Sequence, residues 1–414
     1  MIEWSETHLS IRDMMRRFIE AEVKPNLREL EHGELPPYEI LRKLVRTFGL
    51  RDMAEARFAA QIAKEKARAE KGEPPAPPRE PRANPAAGEE AAMRMIPIIE
   101  LCRYSPGMVT ALGVSMGLTA NAILSRGTIA QKERWALPLL TLDAIGAWAI
   151  TEPGSGSDAF GGMKSVARRD GDGYVLSGSK TFITNGPWAD TIVFICKLDD
   201  GSDPKDRKIV SFVLDKGMPG LVQSKPLKKM GLHASPTGEL FLEDVRVGKD
   251  RLIGETEDVP ARSSAKDTFA AERTGVAAMA LGIVEQCRAL SIEYAKTRVQ
   301  FGRPIGEFQL IQLKLAKMEV ARMNIQNLVF RQIELAAAGK GMTLAEASAC
   351  KLYAAQAAMD VCLEAVQLFG GNGYMAEYQV EQLCRDAKVL QIYGGTDEIQ
   401  ISQIARSLLA GPTA

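Results

Sequence analysis

The sequence predicts an α+β protein in three parts: helices, then a compact β region, then helices again. Three observations carry this. Before about residue 140, apolar residues recur at helical spacing between Pro and Gly breaks. From Gly146 to about Gly254 the texture changes to short runs rich in branched and aromatic residues, separated by turn signals. After about Asp267 long helical periodicities run to the end. A chain of 414 residues is too long for one small core. The expected domains are residues 1–140, 141–262 and 263–414.

In chain order, Leu9, Met14, Phe18 and Ile19 mark a first amphipathic helix, and Ile40, Leu41, Leu44 and Phe48 a second, with Pro36-Pro37 between them. Residues 53–71, rich in Ala, Glu, Lys and Arg, favour a solvated helix. Gly72 to Gly88 is Pro-rich with hardly a large apolar residue, and is expected to be a loop or linker. Helical pattern resumes at Ala91–Leu101 and continues through Gly113–Leu124 and Gln131–Leu139. Strands are expected at Tyr174–Leu176, Thr191–Cys196, Ile209–Leu214 and Leu240–Val247, with turns such as Asp170-Gly171-Asp172-Gly173. Helices are expected at Ala270–Ala295, Gln309–Ala337, Thr343–Phe369 and Glu398–Leu409.

Composition narrows the function. Lys+Arg and Asp+Glu are 52 each, so no nucleic-acid-binding surface is expected. The six cysteines form no CxxC pair, as expected of a reduced, intracellular protein. The three histidines lie near neither a cysteine nor one another in sequence, which leaves a His-based metal site or a Ser-His-Asp triad hard to build. The N-terminus has no signal-peptide pattern, and no apolar run of membrane-spanning length is expected. A cytoplasmic protein that spans no membrane and holds no metal is the expectation.

Five strings carry chemistry. Trp148-Ala149-Ile150-Thr151-Glu152-Pro153-Gly154-Ser155-Gly156-Ser157-Asp158 is a tight turn whose backbone N–H groups can approach an anionic or carbonyl ligand, with hydroxyls from Thr151 and Ser157. Lys180-Thr181-Phe182-Ile183-Thr184-Asn185-Gly186 adds an aromatic face. Arg298-Val299-Gln300-Phe301-Gly302-Arg303, followed by Gln309, offers a guanidinium fork for a pyrophosphate, although in isolation a surface loop between two helices is the better reading. Gln367-Leu368-Phe369-Gly370-Gly371-Asn372-Gly373-Tyr374 and Ile392-Tyr393-Gly394-Gly395-Thr396-Asp397-Glu398 read alone as a helix end and a capped turn.

Together and in this order the strings resemble the acyl-CoA dehydrogenase family over roughly residues 95–410, with the 51–90 segment foreign to the common pattern. The resemblance implies an all-α N-terminal domain, a central β-barrel-like domain and a C-terminal four-helix bundle. It implies FAD-dependent α,β-desaturation of an acyl-CoA thioester, with electrons passed to an electron-transfer flavoprotein. Trp148, Ile150, Thr151, Gly156, Ser157, Phe182 and Thr184 would then hold the flavin of their own subunit. Arg298, Gln300, Phe301, Gln309, Gln367 and Gly371 would reach a neighbour's FAD in a homotetramer, and Thr396 and Glu398 would complete the cofactor contacts. Ser157, Arg273, Gly394 and Gly395 would meet the substrate. An acyl-CoA oxidase or flavin monooxygenase on the same scaffold, or a non-catalytic subunit of a hetero-oligomer, are the alternatives.

One position departs from the pattern. Many members carry their catalytic glutamate where this chain has Gly394. A subset similar to the isovaleryl-CoA and long-chain enzymes instead places it immediately before the arginine of a later helix, which here is Glu272 before Arg273. The resemblance thus makes Glu272 the base. Read without it, Glu272 is a solvated acid at the start of a helix Glu272–Arg288, favoured there by the dipole. The family's aspartate three residues before the arginine is absent here, since that position is Ala270.

Overall fold

The computed structural model describes residues 3–32, 35–73, 83–258 and 261–411, the side chains of 261–272 excepted. The first part is helical: α1 (Glu6–Phe18), α2 (Leu27–His32), α3 (Tyr38–Thr47), α4 (Leu50–Glu70), α5 (Pro85–Cys102), α6 (Pro106–Leu112), α7 (Ala120–Arg126), α8 (Ile129–Gln131) and α9 (Leu137–Leu140). Seven strands follow: β1 (Gly146–Ala149), β2 (Val166–Asp170), β3 (Gly173–Thr184), β4 (Thr191–Leu198), β5 (Ile209–Asp215), β6 (Leu221–Gln223) and β7 (Thr237–Gly248). The last part holds α10 (Ala261–Thr297), a small hairpin of β8 (Val299–Gln300) and β9 (Arg303–Pro304), α11 (Gln309–Ala337), α12 (Leu344–Phe369), α13 (Gln379–Lys388) and α14 (Asp397–Leu409).

The sheet runs β1-β4-β2-β3-β7-β6, with β5 on the far side of β4. β4 pairs in parallel with β1 and β2 and antiparallel with β5. Its sequence, Thr-Ile-Val-Phe-Ile-Cys-Lys-Leu, is almost continuously apolar, as a strand covered on both faces requires. Ile192, Phe194, Cys196 and Leu198 face the interior of the curved sheet with Phe212 and Leu240. Val193 and Ile195 face the opposite way, against Ile123, Trp135 and Leu139 of the helices. One strand therefore joins two cores.

A third core lies among the helices, where α10 packs on α12, α11 and α5. The α5–α10 crossing is close because Gly282 sits against the Ile99 carbonyl and Cys102, where a β-carbon has no room. Thr343 opens α12 with a reciprocal capping box to Glu346.

Several expectations change. The Pro-rich stretch is not loop as far as Gly88: Asn84 caps α5, Pro85 takes its first turn, and Gly88 packs on Ala337. Residues 74–82, the centre of that predicted linker, lie outside the described residues. The helix predicted over 53–71 is present as α4 but is not wholly solvated, since Phe58 and Ile62 enter the core beside Trp135. Two stretches, Pro106–Arg126 and Arg273–Thr297, do have the length and hydropathy of a membrane-crossing helix, against the expectation of none. At least half of each is buried within the protein. Finally, α10 begins at Ala261, so Glu272 lies well inside a helix rather than at its start.

Candidate active site

The strand-end loop after β1 is built by β3. Thr181 and Phe182 interrupt the β3–β7 ladder, where the register shifts between Lys180 and Ile183. Phe182 takes a left-handed φ of 57°, which turns its ring out of the sheet and leaves it 69% exposed. At the same bulge the Thr181 N–H donates to the Thr151 carbonyl at 3.0 Å, so Thr151 is held beside the Phe182 backbone. Trp148 lies in β1, and Ile150 at its end is buried. Thr184 ends β3 opposite Thr237. The structure thus brings Trp148, Ile150, Thr151, Phe182 and Thr184 together.

Beyond Thr151 the chain turns on an antiparallel bridge between Glu152 and Ser155, and the Ser155 hydroxyl donates to the Asp158 carbonyl. Gly156 and Ser157 are exposed on this turn. Nothing lies within 4 Å of where a β-carbon on Gly154 or Gly156 would stand, so the backbone there faces open space.

A second group forms where α10 meets the loop before α14. Arg273, 6% exposed, donates through Nε to the Gly394 carbonyl at 3.4 Å and through Nη1 to the Ser348 hydroxyl at 3.1 Å. Gln400 donates to the carbonyls of Gly394 and Gly395 at 3.1 and 2.7 Å. Gly394 has φ 61°, a conformation that residues with a β-carbon seldom adopt. Glu272 belongs to the same helix, one residue before Arg273, and its side chain lies outside the described residues. Thr396 caps α14 by accepting from the Ile399 N–H. Glu398 is exposed, and its own N–H and the Thr396 hydroxyl hold its carboxyl below the usual carboxylate range.

The remaining predicted residues lie elsewhere on the helical part. Arg298, Gln300, Phe301 and Gln309 are all exposed on the β8–β9 hairpin and the start of α11, Phe301 at 94%. Gln367 and Gly371 are exposed at the end of α12. None of these lies on the sheet that carries Phe182.

Three residues of the quoted strings play structural parts that the sequence did not reveal. Asn185 is fully buried, donates to the carbonyls of Ala111 and Gly146 at 2.9 Å each, and accepts from Tyr38, which ties the sheet to the N-terminal helices. Lys180 is fully buried and donates to Glu152, itself 5% exposed, at 2.8 Å. Lys180 shares its strand phase with the buried Tyr174 and Leu176, so a cation at an inward-facing position was the readable signal. Among the described residues no cluster of His, Cys, Asp and Glu is arranged to hold a metal ion.

The acyl-CoA dehydrogenase middle domain matches residues 147–245, and the acyl-CoA dehydrogenase C-terminal domain matches residues 262–409. A short-chain-specific acyl-CoA dehydrogenase of Megasphaera elsdenii is 40% identical, over 78% of this chain and 83% of its own. The CarC subunit of the caffeyl-CoA reductase-Etf complex of Acetobacterium woodii is 34% identical, over 98% of this chain and 99% of its own. The solved butyryl-CoA dehydrogenase of Megasphaera elsdenii superimposes with a TM-score of 0.83 at 34% identity, covering 98% of this chain and 99% of that one. The chain belongs to the acyl-CoA dehydrogenase family. It is an oxidoreductase of that class, and its fold is the family's: helices, a half-barrel sheet and a C-terminal helical domain.

Proposed function

We propose that the protein is an FAD-dependent acyl-CoA dehydrogenase that desaturates an acyl-CoA thioester to the trans-2-enoyl-CoA and passes electrons to an electron-transfer flavoprotein. The observation that carries the cofactor reading is the bulge at Phe182, which presents an exposed ring beside a Thr151 locked by the Thr181 N–H. The residues fit a flavin: an aromatic face, hydroxyls from Thr151, Thr184 and Ser157, and open backbone at Gly154 and Gly156. FAD bound there supplies the hydride acceptor.

The chain's own residues supply the rest. Glu272 takes the α-proton, a task that needs a carboxylate within hydrogen-bond reach of the α-carbon. Arg273 positions it, since its guanidinium fastens α10 to the Gly394 carbonyl. Gly394 has no side chain and leaves the proton-transfer task to the helix. The backbone N–H of Glu272 would help polarise the thioester carbonyl, which lowers the cost of the developing negative charge. The exposed Arg298, Gln300, Phe301, Gln309, Gln367 and Gly371 would be completed by a second copy's FAD in a homotetramer.

The Acetobacterium relative favours a second reading, reduction of an enoyl-CoA by the same groups working in reverse with an electron-transfer flavoprotein as donor. The test of both is direct. The purified chain should carry FAD and bleach on anaerobic mixing with members of a panel of saturated acyl-CoA thioesters, with turnover in a dye acceptor. Turnover of enoyl-CoA with a reduced dye, and none in the forward direction, would support the reverse assignment. A chain that takes up no FAD overturns both.

A further inference from the structure

Beneath the strand-end loop lies an ion pair that the desaturation chemistry does not use. Lys180 is fully buried, and its Nζ donates to the Ile150 carbonyl at 3.1 Å and to Glu152 Oε1 at 2.8 Å. Glu152 is 5% exposed, and its other partners are two backbone donors: the Lys164 N–H at 2.6 Å to Oε2 and the Ser165 N–H at 2.9 Å to Oε1. Two buried charges therefore clamp three chain segments: the end of β1, the strand β3, and the stretch entering β2. Thr151 lies between the two residues the ammonium grips, and Phe182 lies two positions after the lysine.

We propose that Lys180 and Glu152 are positioning residues for the flavin: their pair holds Ile150–Glu152 in register with the Phe182 bulge, and so sets how tightly the isoalloxazine ring is held. This rests on the FAD assignment above. A buried ion pair is a costly way to hold a sheet together, because desolvation of both charges offsets much of their attraction. What the ammonium adds is direction. It ties the Ile150 carbonyl and the Glu152 carboxylate, which flank Thr151 in the chain, to one cation, a task no aliphatic side chain performs.

The carboxylate stays ionised in this setting. Burial pushes its pKa up, but Lys180 and the two N–H donors outweigh burial and hold it below the usual value. Burial lowers the Lys180 ammonium, and Glu152 offsets part of that. The titratable group facing the pair from β4 is the Cys196 thiol, pushed up to about 12 by burial and neutral throughout the range of interest.

FAD affinity of the reconstituted full chain, read by flavin fluorescence at pH 6 and pH 8, tests the pair. Lys180→Met should weaken FAD binding by about tenfold or more at pH 8 and recover part of it at pH 6, where Glu152, without its cation, takes up a proton. Lys180→Met/Glu152→Gln should bind independently of pH. A purely structural role predicts lower melting temperatures for the apo variants with unchanged FAD affinity, and that outcome overturns the proposal. If Lys180→Met does not fold, Glu152→Gln alone, which keeps the shape, should still weaken FAD binding by about threefold or more. Wild-type affinity in that variant overturns the clamp while leaving the FAD assignment standing. A wild type that takes up no FAD overturns both.

Discussion

The Arg273 guanidinium donates to the carbonyl of Gly394 at 3.4 Å, so the helix that carries Glu272 and the loop before α14 are fastened together. Ser348 on α12 takes a second Arg273 N–H, and Gln400 on α14 holds the same loop from the other side. The proposed base Glu272 and Gly394 are thus linked through one arginine.

Replacing that arginine separates position from charge. Arg273→Lys keeps a cation but loses the planar fork that reaches two acceptors. One buried charged hydrogen bond is worth roughly 1.5–3 kcal/mol. The variant should melt several degrees lower and reduce its flavin about tenfold or more slowly, with FAD content unchanged. Thermal melts and stopped-flow absorbance check this; wild-type reduction rates would remove Arg273 from the catalytic account.

Arg298 tests the reach between subunits. It is exposed, on a hairpin of the helical part rather than on the sheet with Phe182. Arg298→Ala removes a charge-assisted pair of about 1.5–3 kcal/mol, so FAD affinity should fall roughly tenfold or more. Sedimentation of the holoprotein should give a dimer or larger particle. A monomer that keeps full FAD would contradict both expectations.

The sequence was most legible where period and covering agree. Gln309–Ala337 is a helix over the predicted span, and Thr191–Cys196 lies in a strand whose residues are all buried. The Pro-rich segment misled from Asn84 onward, because an Asn-Pro cap and small residues that pack on Ala337 look like linker when read for bulk. α13 went unread, since its apolar Val380 and Leu383 alternate with buried polar Gln382 and Asp386. At the site, the motifs located Phe182, Arg273 and Gly394, but not the bulge that exposes the first or the grip of the second on the third. Those depend on the β3–β7 register and on the α10–α14 contact, which no local pattern encodes.

Stability should depend on pH through Glu31. This residue of α2 is 3% exposed, neither carboxyl oxygen has a hydrogen-bond donor, and it faces Asp386, Arg385 and Glu381 of α13 with Lys229 and His233 of the β6–β7 loop. Burial first, and then the Asp386 charge, push its pKa up to about 8. The folded protein therefore keeps a proton that the unfolded chain releases near about pH 4.3. Its contribution is fully present below that value and is lost as pH rises to about 8, on the order of 1 kcal/mol per pH unit. Burial pushes Lys229 down to about 8, so its opposite effect falls above this window. Denaturant titrations should show wild type losing stability relative to Glu31→Gln between about pH 5 and pH 8. Parallel curves would mean that Glu31 is ionised in the folded state.

Glu272→Gln tests most directly whether Glu272 is the base. Glutamine keeps the size and polarity of the side chain but cannot accept the α-proton. The variant should stay yellow and bind the acyl-CoA that reduces the wild type fastest. On anaerobic stopped-flow mixing its flavin should bleach about a hundredfold to ten-thousandfold more slowly, the range a positioned general base contributes. Bleaching within a fewfold of wild type would place the base elsewhere, with Glu398 the next residue to replace.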